Sequence, residues 1–532
     1  MLFNSTVFFL FFAAFFVVYW RLRGNIFGQN ALIYGGSLAF YGWWDERFLI
    51  LIALSTAIDY IAALGAAGEK ASAEERRKAG LMLICVAVLA TAPTFSTSWV
   101  WFAAVIAFLA TGRILLPFIR GRKSWLIVSL VANLGLLAAF KYFGFFTESF
   151  IAAAEAIGVH VNAPMMRIIL PIGISFYTFQ TLSYTIDVYR GDMKPTRSLL
   201  NFAAYVSFFP QLVAGPIERA RALLPQFAVE RRWDGERAFD GALLFLWGLY
   251  KKTVIADNLA PIVNAAFAAP GETAAPFMLL AALASALQIY CDFSGYSDMA
   301  RGLAKTLGFE LMINFNLPYM SRTPSEFWRR WHISLSSWLR DYLYVPLGGN
   351  RGGERKTYRN LFLTMLLGGL WHGAAWNFVA WGAFHGAILA VYRFLHVDDA
   401  LGRVRAGTRP GVAAHLSAWI VMSTLTLVGW IFFRIESLAD APAALEKIFS
   451  AQAMAGIASL PEAAMLGALA LPLIISHVAN RFLPETIARV VAYSRGPGGA
   501  PLLARANAFA LLLCCVTFLP AEGQLDFIYF DF

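Results

Sequence analysis

Two histidines, His332 and His372, are the residues of this sequence best suited to proton chemistry. His332 follows the aromatic and basic run Phe327-Trp328-Arg329-Arg330-Trp331, and His372 directly follows Trp371. Imidazole is the side chain that binds and releases a proton near neutral pH. It is costly in hydrocarbon unless it faces a cavity or a partner. A protein that only spans a membrane needs neither residue, so the pair indicates acid–base chemistry.

The composition places these histidines in an integral membrane protein. Of the 532 residues, 59% are hydrophobic and 14% are charged, whereas soluble domains are typically about a quarter charged. Apolar runs of about 20 residues, enough to cross a bilayer, recur throughout and lack the alternation of a β-barrel. Because several runs are short or contain Gly, Pro or a charge, we predict an all-α polytopic protein. It should have about eleven to thirteen transmembrane helices plus re-entrant and interfacial helices.

The net charge of +10 is that of a membrane protein and not of a nucleic-acid-binding protein. No segment offers a basic, water-facing domain; Arg and Lys gather in short loops, as the positive-inside rule describes. The richest loop is 319–360, which we place on the cytoplasmic side. The four cysteines lie in apolar stretches without metal-ligand or disulfide spacing, so we expect no metal site.

The segment that contains His332 predicts one amphipathic helix that ends near Tyr344. Thr323, Pro324 and Glu326 supply an N-cap, a first-turn proline and a capping box. Aromatic residues recur at three- and four-residue spacing on the face of His332: Trp328, Trp331, Trp338 and Tyr342. Such a helix lies in the membrane interface or between spans. The spacing leaves open whether His332 lines a cavity or is a buried structural residue.

The apolar segment 360–395 contains His372. As one helix it would be about 54 Å long, far longer than a hydrocarbon core of about 30 Å. We therefore predict two helices that meet near 373–377. Trp371 and Trp376 flank the imidazole and Asn377 offers an amide to orient it, which suits a general base in a dry but reachable pocket. The alternative is an interfacial or buried structural histidine. The other histidines are interpreted as background: His160, His385, His396, His415 and His477.

Four polar residues lie near the end of the apolar run 275–300. Asp292, Ser294, Tyr296 and Asp298 bring two carboxylates and two hydroxyls to membrane depth. Polar residues at this depth usually line a cavity or serve a function; the alternative is a capped helix end at the interface. We predict that they line a cavity.

With these motifs together, the chain resembles the membrane-bound O-acyltransferases, and within them the bacterial alginate O-acetyltransferase membrane subunits. The likeness covers residues 1–395 and rests on these blocks in the same order: Leu170–Tyr177, Ile186–Gly191, Phe209–Pro216, Asp292–Ala300, Glu326–Tyr344, Leu347–Arg351 and Gly368–Gly373. The chain departs from the resemblance at Gln180 and Gln211, where some members have Glu and His.

The resemblance implies a ring of tilted helices around a funnel that crosses the membrane. It implies one acyltransferase domain with N-terminal spans (1–160), a catalytic core (161–395) and C-terminal spans (396–532). His372 matches the catalytic histidine of the family and His332 a second histidine of the same site. The implied reaction moves an acetyl group from a cytoplasmic thioester, acetyl-CoA, toward hydroxyls of an exported polysaccharide, without a permanently bound cofactor. The implied partners are a periplasmic SGNH-type acetyltransferase and a polysaccharide export complex, at the bacterial inner membrane.

We expect His372 to act as general base and His332 to orient the donor or the intermediate. Trp371, Trp376 and the aromatic helix with Trp328 and Trp331 would keep water from the thioester. Three alternatives stay open. The first is D-alanyl transfer to a teichoic acid, the second is a glycan or acyl transporter without chemistry, and the third is a passive scaffold. A transporter or scaffold predicts that the histidines can be replaced without loss.

Overall fold

The computed structural model describes residues 1–92, 95–161, 169–397, 412–495, 499–521 and 527. These residues form helices joined by turns, and no strand occurs among them, which confirms the all-α prediction. Parts of the predicted C-terminal region, 398–411, 496–498 and most of 522–532, lie outside the described residues. The α-helices are α1 (Thr6–Arg21), α2 (Ile26–Gly42), α3 (Leu49–Ala66), α4 (Ala73–Thr91), α5 (Phe95–Leu115), α6 (Arg122–Leu137), α7 (Phe143–Ala156), α8 (Ile174–Arg190), α9 (Leu199–Ser207), α10 (Phe209–Leu212), α11 (Ala220–Leu223), α12 (Gly235–Tyr250), α13 (Asp257–Ala268), α14 (Ala275–Thr306), α15 (Pro324–Trp328), α16 (Ile333–Leu339), α17 (Glu354–His372), α18 (Trp376–Phe394), α19 (Val412–Arg434), α20 (Ala441–Ile448), α21 (Ala451–Gly456), α22 (Pro461–Phe482), α23 (Pro484–Ser494) and α24 (Gly499–Phe518).

Six helical stretches of the described chain are long and apolar enough to cross a membrane. They are Glu46–Ala66, Trp99–Phe118, Arg122–Ala156, Ala275–Thr306, Ala413–Arg434 and Pro461–Phe482. Thr6–Arg21 and Leu503–Phe518 are shorter apolar helices. The protein is therefore a multi-pass membrane protein, and the expected eleven to thirteen spans stay a prediction.

The chain forms two compact units. The first comprises residues 1–241 and 300–312, and the second comprises 242–299 and 313–532. Helix α14 contributes to both units, and both candidate histidines lie in the second. The division into 1–160, 161–395 and 396–532 follows chain order and stays a prediction.

Helices α17 and α18 form a tight hairpin that places His372 at its tip. The predicted split of this segment is confirmed, because α17 ends at His372 and α18 begins at Trp376. The helices approach most closely at Gly369 and Gly382. A Cβ atom on Gly369 would lie 2.2 Å from the carbonyl oxygen of Phe378, and only small residues allow two helix backbones to come so close.

The prediction of one continuous helix around His332 is wrong. Helix α15 ends at Trp328, His332 has a left-handed backbone with φ of 44°, and α16 begins at Ile333. The predicted start is largely confirmed, since the Thr323 hydroxyl accepts the Glu326 N–H at 3.1 Å. The Glu326 carboxylate does not complete the capping box with Thr323 and instead accepts the N–H of Arg322 at 3.0 Å.

Two backbone hydrogen bonds to the segment 314–316 stabilise the break at His332. The Ile333 N–H donates to the Asn314 carbonyl, and the Asn316 N–H donates to the Arg330 carbonyl, each at 2.9 Å. A left-handed backbone costs a non-glycine residue roughly 1–2 kcal/mol, and these hydrogen bonds offset that cost. Helical periodicity did not predict the break, because the segment that hydrogen-bonds to the backbone there, 314–316, lies outside the predicted helix.

Helix α14 meets the end of α12 at a second close contact between glycines. A Cβ atom on Gly248 would lie 2.5 Å from the Gly295 carbonyl oxygen. The chain after α12 continues as the π-helical turn Lys251–Ala256, beside the polar residues of α14. Those residues are internal to the helix, which runs on to Thr306, so the helix-end alternative for Asp292 is wrong.

Candidate active site

His372 lies in an aromatic pocket. Its ring centroid is 5.0 Å from those of Trp371 and Trp381 and 5.5 Å from that of Phe433, with steeply inclined planes. The residue is only 4% exposed. Edge-to-face packing of this kind is favourable for aromatic rings and keeps bulk water away from the imidazole.

His332 lies in the same pocket. Its ring centroid is 6.3 Å from that of His372, and the Trp371 ring contacts both imidazoles. The side chain is fully buried, and Phe293 of α14 packs edge-on against it at 4.6 Å. The tertiary structure thus unites two residues that are 40 positions apart in the sequence.

A polar cluster holds His332 on its Nδ1 side. Nδ1 lies 3.2 Å from Asn314 Oδ1 and 3.3 Å from Ser334 Oγ. Asn314 Oδ1 also accepts hydrogen bonds from the Ser334 N–H at 3.2 Å and the Ser334 hydroxyl at 2.9 Å. Burial lowers the pKa of His332 to about 3, so the ring is neutral at physiological pH. Ser334 is fully buried as well.

Asn314 was missed by sequence reasoning. It precedes His332 by 18 residues in a segment without helical periodicity, and no spacing rule links the two. Its Nδ2 donates to Ser297 Oγ at 3.1 Å, which ties the segment to α14.

A second aromatic layer lies behind the pocket. Trp381 separates His372 from His385, whose ring is 4.7 Å from that of Trp381. Trp328 packs against His385 at 5.0 Å, and Trp331 lies 4.7 Å from Trp430. His385 was interpreted as background, but it is buried in this layer. Its position one turn after Trp381 was the available signal.

Trp376 and Asn377, which the sequence predicts to surround His372, lie in the first turn of α18. The Trp376 side chain is 56% exposed, which disfavours its predicted role in enclosing the imidazole; Trp381 and Phe433 pack against the ring. Asn377 is buried, and its amide donates to the Ile435 carbonyl at 2.9 Å. This bond ties the first turn of α18 to the residue that follows α19.

The acidic residues of α14 form a buried ion-pair network, and their role in lining a cavity stays a prediction. Its contacts are Lys252 Nζ to Asp292 (2.7 Å) and Asp257 (2.8 Å), and Lys251 Nζ to Asp298 (2.7 Å) and Ser294 Oγ (3.0 Å). Tyr296 is also buried, with its ring 5.1 Å from that of Phe527. Buried charged side chains are tolerated when each lies against an opposite charge. Two adjacent lysines inside the apolar run 239–262 were the signal that sequence reasoning passed over.

The two departures from the family resemblance lie together in the first unit. Gln180 and Gln211 are buried, and both amides donate to the Tyr205 carbonyl, at 3.0 and 3.1 Å. Neither residue belongs to the unit that holds the two histidines.

Comparison with known proteins places these residues in a family context. The sequence profile of the membrane-bound O-acyltransferase family matches residues 194–397. The probable alginate O-acetylase AlgI of Azotobacter vinelandii is 42% identical over 441 residues, which cover 82% of this chain and 76% of the relative. The peptidoglycan O-acetyltransferase of Helicobacter pylori is 37% identical, covering 60% of this chain and 63% of its own. The teichoic acid D-alanyltransferase of Bacillus subtilis is 29% identical, covering 43% and 61%.

Proposed function

Because this chain belongs to the membrane-bound O-acyltransferase family, we propose that it moves an acetyl group from acetyl-CoA toward hydroxyls of an exported polysaccharide. The donor binds from the cytoplasm, and the enzyme lies in the bacterial inner membrane. The supporting observation is the pair of buried histidines with ring centroids 6.3 Å apart. Identity is higher to the alginate-type relative than to the D-alanyltransferase, 42% against 29%, which favours acetyl transfer to an alginate-like exopolysaccharide.

His372 is the general base of the proposed reaction. It takes the proton of an incoming hydroxyl while the oxygen of that hydroxyl attacks the carbonyl carbon of the thioester. The carbon–sulfur bond then breaks, and the departing thiolate recovers the proton from His372 as the free thiol. General-base assistance of this kind is typically worth about 10²–10⁴-fold. His332 orients the donor or the intermediate.

The aromatic pocket protects the thioester from hydrolysis. Trp371, Trp381 and Phe433 surround the His372 ring, so the general base meets a bound hydroxyl in preference to bulk water. The chemistry needs side chains and an activated acyl group, and we propose no permanently bound cofactor.

Membership of an acyltransferase family sets aside the transporter and scaffold alternatives, which involve no acyl transfer. The acceptor glycan lies outside the cytoplasm, whereas the donor is cytoplasmic. We therefore propose that a periplasmic SGNH-type acetyltransferase completes the transfer in association with a polysaccharide export complex.

His372→Ala tests the proposal. The variant should reach wild-type amounts in the membrane and abolish O-acetylation, measured by mass spectrometry of the exopolysaccharide from a deletion strain that carries the variant. His160→Ala is the matched control, because His160 is exposed and its replacement should leave acetylation unchanged. Wild-type acetylation in the His372→Ala strain would refute the assignment. A D-alanyl or longer acyl group on the glycan would refute the proposed donor.

A further inference from the structure

We propose that Asn314 is a positioning residue that holds His332 as the neutral tautomer protonated at Nδ1, which leaves the lone pair on Nε2. The position of the ring proton at Nδ1 follows from hydrogen-bond geometry. Its consequence for acyl transfer rests on the proposed function.

The orientation of the Asn314 amide is fixed by a backbone donor. The oxygen and nitrogen of an asparagine amide are told apart by their partners. A backbone N–H can only donate a hydrogen bond, and the N–H of Ser334 points at one atom of the Asn314 amide, 3.2 Å away. That atom must be the acceptor, Oδ1. The other amide atom then donates to Ser297 Oγ at 3.1 Å, which agrees with this orientation.

The proton on His332 follows from that orientation. Nδ1 faces Asn314 Oδ1 at 3.2 Å, and two lone pairs at that distance would repel. A proton on Nδ1 turns the contact into a hydrogen bond. The Ser334 hydroxyl gives its one hydrogen to the same Oδ1 at 2.9 Å, so its oxygen also accepts from Nδ1 at 3.3 Å.

The ring carries only this one proton. The residues around it are aromatic or neutral: Phe293, Phe315, Trp371 and His372 lie with ring centroids 4.6 to 6.4 Å away. Burial among these groups lowers the pKa of His332 to about 3. A neutral imidazole with its proton on Nδ1 has its lone pair on Nε2.

This tautomer restricts what His332 does in the proposed reaction. Nε2 accepts a hydrogen bond, from the attacking hydroxyl, from an N–H of the donor or from the ring of His372. In this state it cannot donate a hydrogen bond to an oxyanion. His332 therefore orients a hydrogen-bearing group and does not form an oxyanion hole.

The tautomer is measured directly by nitrogen-15 NMR of histidine-labelled protein in membranes. Comparison with His332→Gln assigns the two resonances, which distinguish a protonated ring nitrogen from one with a lone pair. We expect the protonated type at Nδ1 and the lone-pair type at Nε2. The reverse assignment would overturn the tautomer, and this result is independent of whether the protein transfers acetyl groups.

The role of Asn314 is tested with Asn314→Asp. A carboxylate beside Nδ1 keeps the tautomer and favours the imidazolium, so protonation of His332 should move upward by about one pH unit or more in an NMR titration. Asn316→Asp is the matched control, because Asn316 is exposed on the same segment. Asn314→Leu should lower kcat at least about tenfold, by analogy with the loss of a tautomer-fixing residue in a catalytic triad, and Asn314→Asp should recover much of it. An unchanged titration in Asn314→Asp would refute the positioning role, even if Asn314→Leu does not fold.

Discussion

The backbone contact at Gly369 in the α17–α18 hairpin makes a testable prediction about catalysis. In Gly369→Ala, the added Cβ would lie 2.2 Å from the Phe378 carbonyl oxygen and 2.9 Å from the Gly382 Cα, whereas ordinary contacts begin near 3.4 Å. Both neighbours are backbone atoms, so the helices must separate by about 1 Å. His372 follows one turn later on the same helix, and a misplacement of about 1 Å can lower catalysis 10²-fold. Overpacking typically costs about 1–3 kcal/mol of stability as well.

Gly368→Ala is the matched control for this prediction. A Cβ there would meet only the Leu339 Cδ1 at 3.1 Å, the end of a flexible side chain. Both substitutions gain about the same helix propensity, close to 1 kcal/mol, so the difference between them reports the helix–helix contact. The assay is the initial rate of acetyl transfer from labelled acetyl-CoA in membranes, normalised to the amount of enzyme. Equal rates for the two variants would refute the reasoning, because they would show that the hairpin spacing does not position His372.

Two further predictions concern the ion pairs and the tryptophans. Lys252→Met removes the cation shared by Asp257 and Asp292 and should cost about 3–5 kcal/mol, seen as a lower thermal unfolding midpoint in detergent, whereas Lys78→Met at an exposed pair should leave the midpoint unchanged. A midpoint that falls equally in both variants would contradict the burial argument. Trp381→Leu opens the wall of the His372 pocket and should raise acetyl-CoA hydrolysis relative to transfer, whereas Trp376→Leu, at an exposed residue, should not. The opposite order would show that Trp376 encloses the donor.

Local signals in the sequence were reliable where a residue interacts with its chain neighbours. Thr323 caps α15, and the division of the long apolar segment after His372 follows from helix length against bilayer thickness. The same reasoning did not find Trp381 and Phe433, whose rings pack against His372. Both residues lie on helices other than α17, so spacing along the helix of His372 does not predict these contacts.

Pairings over long sequence distances were beyond the reach of sequence patterns. The two lysines of the ion-pair network precede their α14 carboxylates by 40 and 47 residues, and Asn314 meets His332 across a helix break that no periodicity predicts. In both cases a buried polar group needs a hydrogen-bond partner. Any suitable side chain that the fold brings near can be that partner, so its position in the sequence cannot be predicted.

The sequence by itself determined that this is a helical membrane protein with two unusual histidines, because composition and apolar run length are properties of the chain alone. The tertiary structure alone decided that the two rings share one aromatic pocket and that Trp381 and Phe433 pack against His372. It also decided which nitrogen of His332 keeps its lone pair. Those features depend on which side chains and backbone groups meet after the helices pack, and close contacts such as Gly369 against α18 set that arrangement.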